Sequence, residues 1–76
     1  MKLNENVTVG IVNDCPKYVK WRGRSYTITK IGLHHFYRTG RTFYHVFSVL
    51  SGAVFMKLKL NTENLHWNLE ETSDGI

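Results

Sequence analysis

Four histidines and one cysteine are the residues of this chain that could hold a metal ion. Zinc sites require Cys or His ligands that recur at short, recognisable intervals. Cys15 stands alone before Pro16, and the adjacent His34 and His35 would point to opposite faces of a strand. The sequence therefore predicts no metal site, and nothing in it predicts a cofactor.

Acid–base or nucleophilic catalysis is not indicated either. A general acid or base needs a carboxylate or histidine held beside a second polar group. The acidic residues lie in predicted turns and near the chain ends, and the serines lack the glycine context of a nucleophile elbow. The glycines are scattered and form no phosphate loop. We expect a protein that is not an enzyme.

The cations, by contrast, have a distinct distribution along the chain. The segment 16–62 contains no Asp or Glu, and its charge is +9. The remaining residues, Lys2 and all six acids, sum to −5, which gives the net charge of +4. Charge that is segregated in this way indicates an anionic partner. The cations of the segment are Lys17, Lys20, Arg22, Arg24, Lys30, Arg38, Arg41, Lys57 and Lys59.

The stretch KWRGRSYTI, residues 20–28, predicts a β-hairpin. If Arg22-Gly23 is a two-residue loop, Trp21 pairs with Arg24, and Gly23 has a positive φ. One face of the hairpin then carries Val19, Trp21, Tyr26 and Ile28. The apolar residues coincide on this face, as a correct register requires.

The rest of the chain also reads as strands separated by turns. The second hairpin strand continues through Ile31, where the alternation shifts and a bulge or bend is expected. Residues 32–41 form an extension and a loop around Thr39-Gly40. Strands follow at 42–50, 53–60 and 65–71, and the core is expected to contain Trp21, Tyr26, Val54, Met56, Leu58, Trp67 and Leu69.

The hairpin between the strands 42–50 and 53–60 has two possible registers, because both faces of TFYHVFSVL are apolar. A two-residue loop would place Phe43, His45, Phe47 and Val49 in the core. A three-residue loop that ends at Gly52 would place Tyr44 and Val46 there instead. We favour the second register, because Gly52 then occupies a left-handed position.

The predicted fold is all-β: an antiparallel meander of five strands, strongly twisted or curled into a small barrel. Residues 7–12, VTVGIV, are a candidate sixth strand at the edge. The predicted organisation is an N-terminal segment 1–15, a domain 16–71 and a frayed tail 72–76. No apolar run is long enough to cross a membrane and no signal peptide is evident, so we expect a cytoplasmic protein with no membrane partner.

The residues Pro16, WRGRSYTITKI, FYHV, SGAVFMKL and WNL, in this order, resemble a family of small bacterial domains of unknown function. Domains of that family occur alone or appended to Y-family, translesion-type DNA polymerase proteins. The resemblance spans residues 16–69 and implies a bacterial module associated with DNA repair. This chain departs from the family at His34-His35-Phe36, where a tryptophan is usual, and at Lys57 and Lys59, where the family is more acidic.

The predicted function is sequence-nonspecific binding of DNA or RNA, accessory to DNA repair or to another nucleic-acid enzyme. Lysines and arginines attract phosphates, and exposed rings stack on bases. The alternative is a protein-interaction or assembly domain that uses an exposed sheet edge. Oligomeric state is left open. The predicted nucleic-acid-binding residues are Lys20, Arg22, Arg24, Arg38, Arg41, His45, Phe55, Lys57 and Lys59.

Overall fold

The computed structural model describes residues 2–73, which form an all-β fold of seven antiparallel strands. The antiparallel all-β prediction is confirmed, with more strands than the five or six expected. No helix occurs within residues 2–73, so none there is long and apolar enough to cross a membrane. The strands are β1 (Lys2–Val12), β2 (Cys15–Trp21), β3 (Arg24–Thr27), β4 (Lys30–Thr39), β5 (Thr42–Ser51), β6 (Val54–Asn61) and β7 (His66–Thr72).

The sheet has the order β3-β2-β1-β7-β6-β5-β4, so β1 is an interior strand between β2 and β7. Val9 of β1 pairs with Val19 of β2, and Val7 pairs with Trp67 of β7. The prediction that residues 7–12 form a strand at the edge of the sheet is therefore wrong, because these residues belong to β1, which lies between β2 and β7. Both flanks of β1 are hydrogen-bonded, and Leu3, Val7 and Val9 pack against the core.

The sheet curls around one face, which we call the concave face. Buried residues from β2 and from the β5–β7 half belong to a single cluster, which requires the two halves to bend towards each other. The buried apolar residues of the cluster are Val19, Trp21, Ile28, Val49, Met56, Leu58, Trp67 and Leu69. Tyr26 and Val54 are partly buried against it, so the predicted core is confirmed.

Two consecutive residues connect the two edges of the curled sheet. The Ile28 N–H donates to the Lys17 carbonyl of β2 at 2.9 Å, and the Thr29 N–H donates to the Leu50 carbonyl of β5 at 2.7 Å. The chain thus leaves β3 at one edge and begins β4 at the other. The predicted continuation of the second hairpin strand through Ile31 is therefore wrong, because β3 ends at Thr27 and Ile31 belongs to β4. The register shift between Ile31 and Leu33 agrees with the irregularity expected at Ile31.

The β2–β3 hairpin has the predicted geometry. Trp21 pairs with Arg24, and Val19 pairs with Tyr26. Arg22 and Gly23 have φ angles of 52° and 75°, which is the pair of positive angles that a type I′ turn requires. Gly23 supplies its angle at no steric cost, whereas Arg22 adopts a conformation that is uncommon for a side-chain-bearing residue.

The β5–β6 hairpin has the register that we did not favour. Ser51 pairs with Val54, so Gly52-Ala53 is a two-residue turn, and Phe47 and Val49 pair with Leu58 and Met56 on the concave face. Tyr44 and Val46 therefore face the other side. The positive φ of Gly52, 60°, also suits the first position of a two-residue turn, so the glycine could not distinguish the registers.

The last strand is longer than expected. Thr72 is buried, with 1% of its surface exposed, and it pairs with Met56. The Ser73 N–H donates to the Phe55 carbonyl at 2.9 Å, and its hydroxyl accepts from the Phe55 N–H at 2.8 Å. The first two residues of the predicted frayed tail are therefore ordered by the sheet, and residues 74–76 lie outside the described residues.

Candidate nucleic-acid interface

The nine predicted binding residues do not share one surface. The strand pairings place Arg24, Arg38 and His45 on the concave face and Lys20, Phe55, Lys57 and Lys59 on the opposite, convex face. Arg22 lies in the β2–β3 turn, and Arg41 lies in the Gly40-Arg41 turn between β4 and β5. The register that we favoured would have placed His45 on the same face as Phe55, Lys57 and Lys59, whereas the observed register places them on opposite faces.

Three of the predicted cations are paired with carboxylates. Arg22 Nη2 donates to Glu5 Oε2 at 2.6 Å. Lys59 Nζ lies 3.2 Å from a carboxylate oxygen of Glu70. Lys57 Nζ lies 3.9 Å from Glu71. Segment 16–62 contains no acid, but β1 and β7 bring carboxylates beside it: Glu5 pairs with Arg22 at the turn, and Glu70 and Glu71 pair with the lysines of β6 on the convex face.

A continuous row of rings lies on the concave face of β4, β5 and β7. It comprises Phe36, His45, His34, Phe47 and Trp67, and we call it the ring row. His34 stacks on Phe47 with a centroid distance of 4.1 Å and an interplanar angle of 8°. The His34–His45, Phe36–His45 and Phe47–Trp67 centroid distances are 5.0, 5.8 and 5.7 Å. The row runs from the buried core to the free edge of the sheet.

The outer end of the ring row is exposed and cationic. Phe36 and Phe43 retain 64% and 42% of their accessible surface, which is open to a stacking ligand. The Arg38 guanidinium lies 5.6 Å from the centre of the Phe43 ring. The β4–β5 hairpin contains no Asp or Glu, and the exposed Arg41 occupies its turn. This hairpin therefore combines rings and cations without a carboxylate of its own.

The inner end of the ring row opens into a cavity of about 240 Å³. The β1–β2 hairpin forms the opposite wall and contributes Asp14, the one acidic residue of the lining. The lining residues are Ile11, Asp14, Pro16, His34, His45, Phe47, Leu60 and Trp67. A flat apolar ring could enter this cavity edge-on, while a phosphate would stay at the cationic outer end.

His34 and His45 are hydrogen-bonded across the two strands. The distance between His34 Nε2 and His45 Nδ1 is 2.8 Å, so one nitrogen donates a proton to the other. Burial lowers the pKa of His34 below its ordinary value, and the nearby charges of His45 and His35 lower it further. His34 is therefore neutral at pH 7, and its ring contributes stacking surface rather than charge.

Within residues 2–73, no group of three or more His, Cys, Asp or Glu side chains is arranged to hold a metal ion. Cys15 is exposed and unpaired with any other cysteine, since the chain has only one. Two potential ligands, His34 and His45, lie within hydrogen-bonding distance of each other.

The convex face has a second, polar recess of about 230 Å³. Its lining residues are Asn6, Tyr44, Lys59, Asn61, Asn64, His66 and Asn68. Lys59 Nζ lies 5.0 Å from the centre of the Tyr44 ring, and Tyr37 stacks on Tyr44 at 5.2 Å. The Tyr44 ring is therefore already in contact with Lys59 and Tyr37, which leaves less of it for a base to stack on than the ring row offers.

The sequence predicted Arg38, Arg41 and His45 as binding residues, but it did not predict that Phe36 and His34 lie beside them on one surface. Residues 32–41 were expected to be an extension and a loop, whereas most of them belong to β4. All ten residues of β4 are exposed, so the strand has no buried face to produce an apolar alternation. The signal that remained was the enrichment of β-branched and aromatic residues.

Comparison of the chain with protein-family models, curated proteins and solved structures gives no match. The resemblance to the small bacterial WRGR domains stays a prediction.

Proposed function

We propose that this protein binds single-stranded DNA or RNA without sequence preference, through the ring row and the cationic outer end of the β4–β5 hairpin. In this proposal the protein is not an enzyme, and it acts as an accessory module beside a nucleic-acid enzyme such as a repair polymerase. The observation that carries the proposal is the exposure of Phe36 and Phe43 beside Arg38, in a hairpin that lacks carboxylates.

Two physical arguments favour a single strand over a duplex. Bases stack on protein rings only when they are free of their own stack, and every base has a face that a ring can cover. The rings of the ring row lie on the concave face, where a flexible strand can bend to reach them. Arg38 and Arg41 then contact the phosphates, and such contacts carry no sequence information.

A direct test is fluorescence anisotropy with a labelled oligothymidine and a labelled duplex, each at two salt concentrations. Phe36→Ala should weaken binding of the single strand by about 1–3 kcal/mol, the cost of losing one stacked base. Arg38→Gln with Arg41→Gln should flatten the plot of log affinity against log salt by about 0.7 for each lost phosphate contact.

Two control variants distinguish the effect of the position of the cations from the effect of the net charge. Lys17→Gln with Lys20→Gln removes the same charge elsewhere on the sheet, and should leave most of the salt dependence intact. Lys59→Gln with Glu70→Gln removes an ion pair of the convex face at constant net charge, and should have little effect. Failure of the wild-type protein to bind either probe at low salt would falsify the proposal.

The free edge of β4 supports protein interaction as a second candidate function. β4 pairs with β5 on one side only, and along its length it exposes Ile31, Leu33, Phe36 and Tyr37. Long exposed edges are templates for an added strand. A strand-pairing interface changes little as salt rises, whereas phosphate contacts weaken steeply, so salt dependence distinguishes the two functions.

A further inference from the structure

His34 and His45 have an arrangement that suits a metal ion as well as a proton. They lie on neighbouring strands of one hairpin, and their side chains meet on the concave face with 2.8 Å between Nε2 and Nδ1. His34 is held in place by its stack on Phe47, and the pair lines the cavity described above. The two nitrogens are therefore brought together by the rigid pairing of β4 with β5.

The nitrogen–nitrogen distance indicates the coordination geometry. Imidazole nitrogens bind divalent ions at about 2.0–2.1 Å. Two neighbouring ligands of a square-planar or octahedral ion are then about 2.8–3.0 Å apart, while two ligands of a tetrahedral ion are about 3.3 Å apart. The observed separation matches the first geometry, which is typical of Cu²⁺ and Ni²⁺ with nitrogen ligands.

We propose that His34 and His45 form a bidentate site for a borderline divalent transition-metal ion, with Cu²⁺ bound most tightly and Ni²⁺ next, and with water in the remaining positions. The metal ion replaces the shared proton between the rings. His34 then keeps its proton on Nδ1 and His45 keeps its proton on Nε2, so binding to two neutral rings needs only a change of tautomer.

Two features of the surroundings favour the metal ion. Neutral imidazole is the form that binds a metal, and the stack of His34 on Phe47, with an interplanar angle of 8°, holds one ligand ring in a fixed orientation. Asp14 lines the same cavity from the β1–β2 turn and adds a carboxylate to its wall. The inference does not depend on the proposed nucleic-acid binding, because metal binding is measured without nucleic acid.

The chain supplies its own matched controls. His35 neighbours His34 but points to the convex face, and His66 also lies away from the pair. Isothermal titration with NiCl₂ and CuCl₂ should be carried out on the protein with Cys15→Ser, which removes the exposed thiol as a competing ligand. Circular dichroism of each variant establishes that it is folded.

One metal ion should bind per chain. His34→Gln and His45→Gln should each lower the metal affinity at least about 10–100-fold. A loss of this size results even from replacing a residue that only hydrogen-bonds to a metal ligand. His35→Gln and His66→Gln should leave the affinity unchanged, and the Cu²⁺ spectrum should report two nitrogen ligands. The proposal is overturned if the wild-type site binds neither ion, or if the His35→Gln protein loses as much affinity as the His34→Gln protein.

Discussion

Glu5 is the residue that connects β1 to the tip of the β2–β3 hairpin. Its Oε1 accepts from Trp21 Nε1 at 2.8 Å, and its Oε2 accepts from Arg22 Nη2. Hydrogen bonds from Arg22 and then from Trp21 hold the pKa of the Glu5 carboxyl below its ordinary value of 4.5. The folded state therefore favours the ionised carboxylate.

The lowered pKa of Glu5 determines how the stability of the protein changes with pH. A lowered pKa contributes stability above the ordinary pKa, and that stability is lost as the pH falls through the pKa of the folded state. We expect Glu5→Gln to flatten the fall in melting temperature between about pH 5 and about pH 3. Glu63→Gln, which removes the same charge from the exposed loop between β6 and β7, should leave that fall as steep as in the wild-type protein.

Trp67 is the anchor of the ring row and the largest side chain that β7 contributes to the core. It retains 8% of its surface and contacts Phe47 at a centroid distance of 5.7 Å. Trp67→Ala should lower the free energy of unfolding by about 3–5 kcal/mol, as measured by urea denaturation. Leu65→Ala is the control, because Leu65 is 71% exposed; similar losses from both substitutions would contradict the assignment.

At the scale of the strands, β1 and β2 are joined by an unusual contact between Gly10 and Tyr18. The two residues pair directly, and a Cβ added to Gly10 would lie 2.0 Å from Cε2 of the Tyr18 ring. The tyrosine thus covers the backbone of the glycine, as aromatic residues do for glycines in designed sheets.

This contact predicts that Gly10→Ala destabilises the wild-type protein but stabilises the protein that lacks the Tyr18 ring. Gly10→Ala should push the Tyr18 ring away and cost up to about 1 kcal/mol, the worth of a cross-strand pair. In the Tyr18→Ala protein the ring is gone, and the same substitution should stabilise by about 0.5–1 kcal/mol, because alanine loses less backbone entropy than glycine. Urea denaturation of the four proteins measures the coupling, and additive effects would show that the ring does not cover Gly10.

The β2–β3 hairpin could be predicted residue by residue, whereas the β5–β6 register could not. In the first hairpin only one register collects Val19, Trp21 and Tyr26 on one face, and Gly23 fixes the turn. In β5 both faces are apolar, so the pattern does not identify the buried one. The observed register packs Phe47 of β5 against Trp67 of β7, and these two residues lie far apart in sequence.

The candidate site, too, could be predicted only in part, because it depends on contacts between strands that are distant in sequence. The sequence shows which residues are cationic, but it does not show that β7 places carboxylates beside Lys57 and Lys59. It also does not show that His34 and His45 meet, because this depends on the pairing of β4 with β5. For Arg38 and Arg41 the binding role stays a prediction; their hairpin has no acid of its own, and Glu63 of the β6–β7 loop reaches it by accepting from the Thr42 hydroxyl at 3.4 Å.

At the scale of the whole molecule, the first and last strands form the central seam of the sheet. Lys2 pairs with Glu71, so the two ends of the described chain are neighbours. A circular permutant should therefore fold if a short glycine linker joins the original termini and the chain is opened between Glu63 and Asn64. It should retain the far-UV circular dichroism spectrum and the cooperative unfolding of the parent protein. Chains that end at Leu65 instead lack β7 and should not unfold cooperatively.

The same seam sets the order of events during protein synthesis. The ribosome releases β1, β2 and β3 first, but β1 must wait for β7 to emerge before its second flank is paired. Until then the nascent chain holds two half-sheets, one of three strands and one growing from β4, connected only through Ile28 and Thr29. The domain thus completes its fold after translation of β7 rather than strand by strand, and the apolar residues of β1 stay accessible to chaperones throughout that interval.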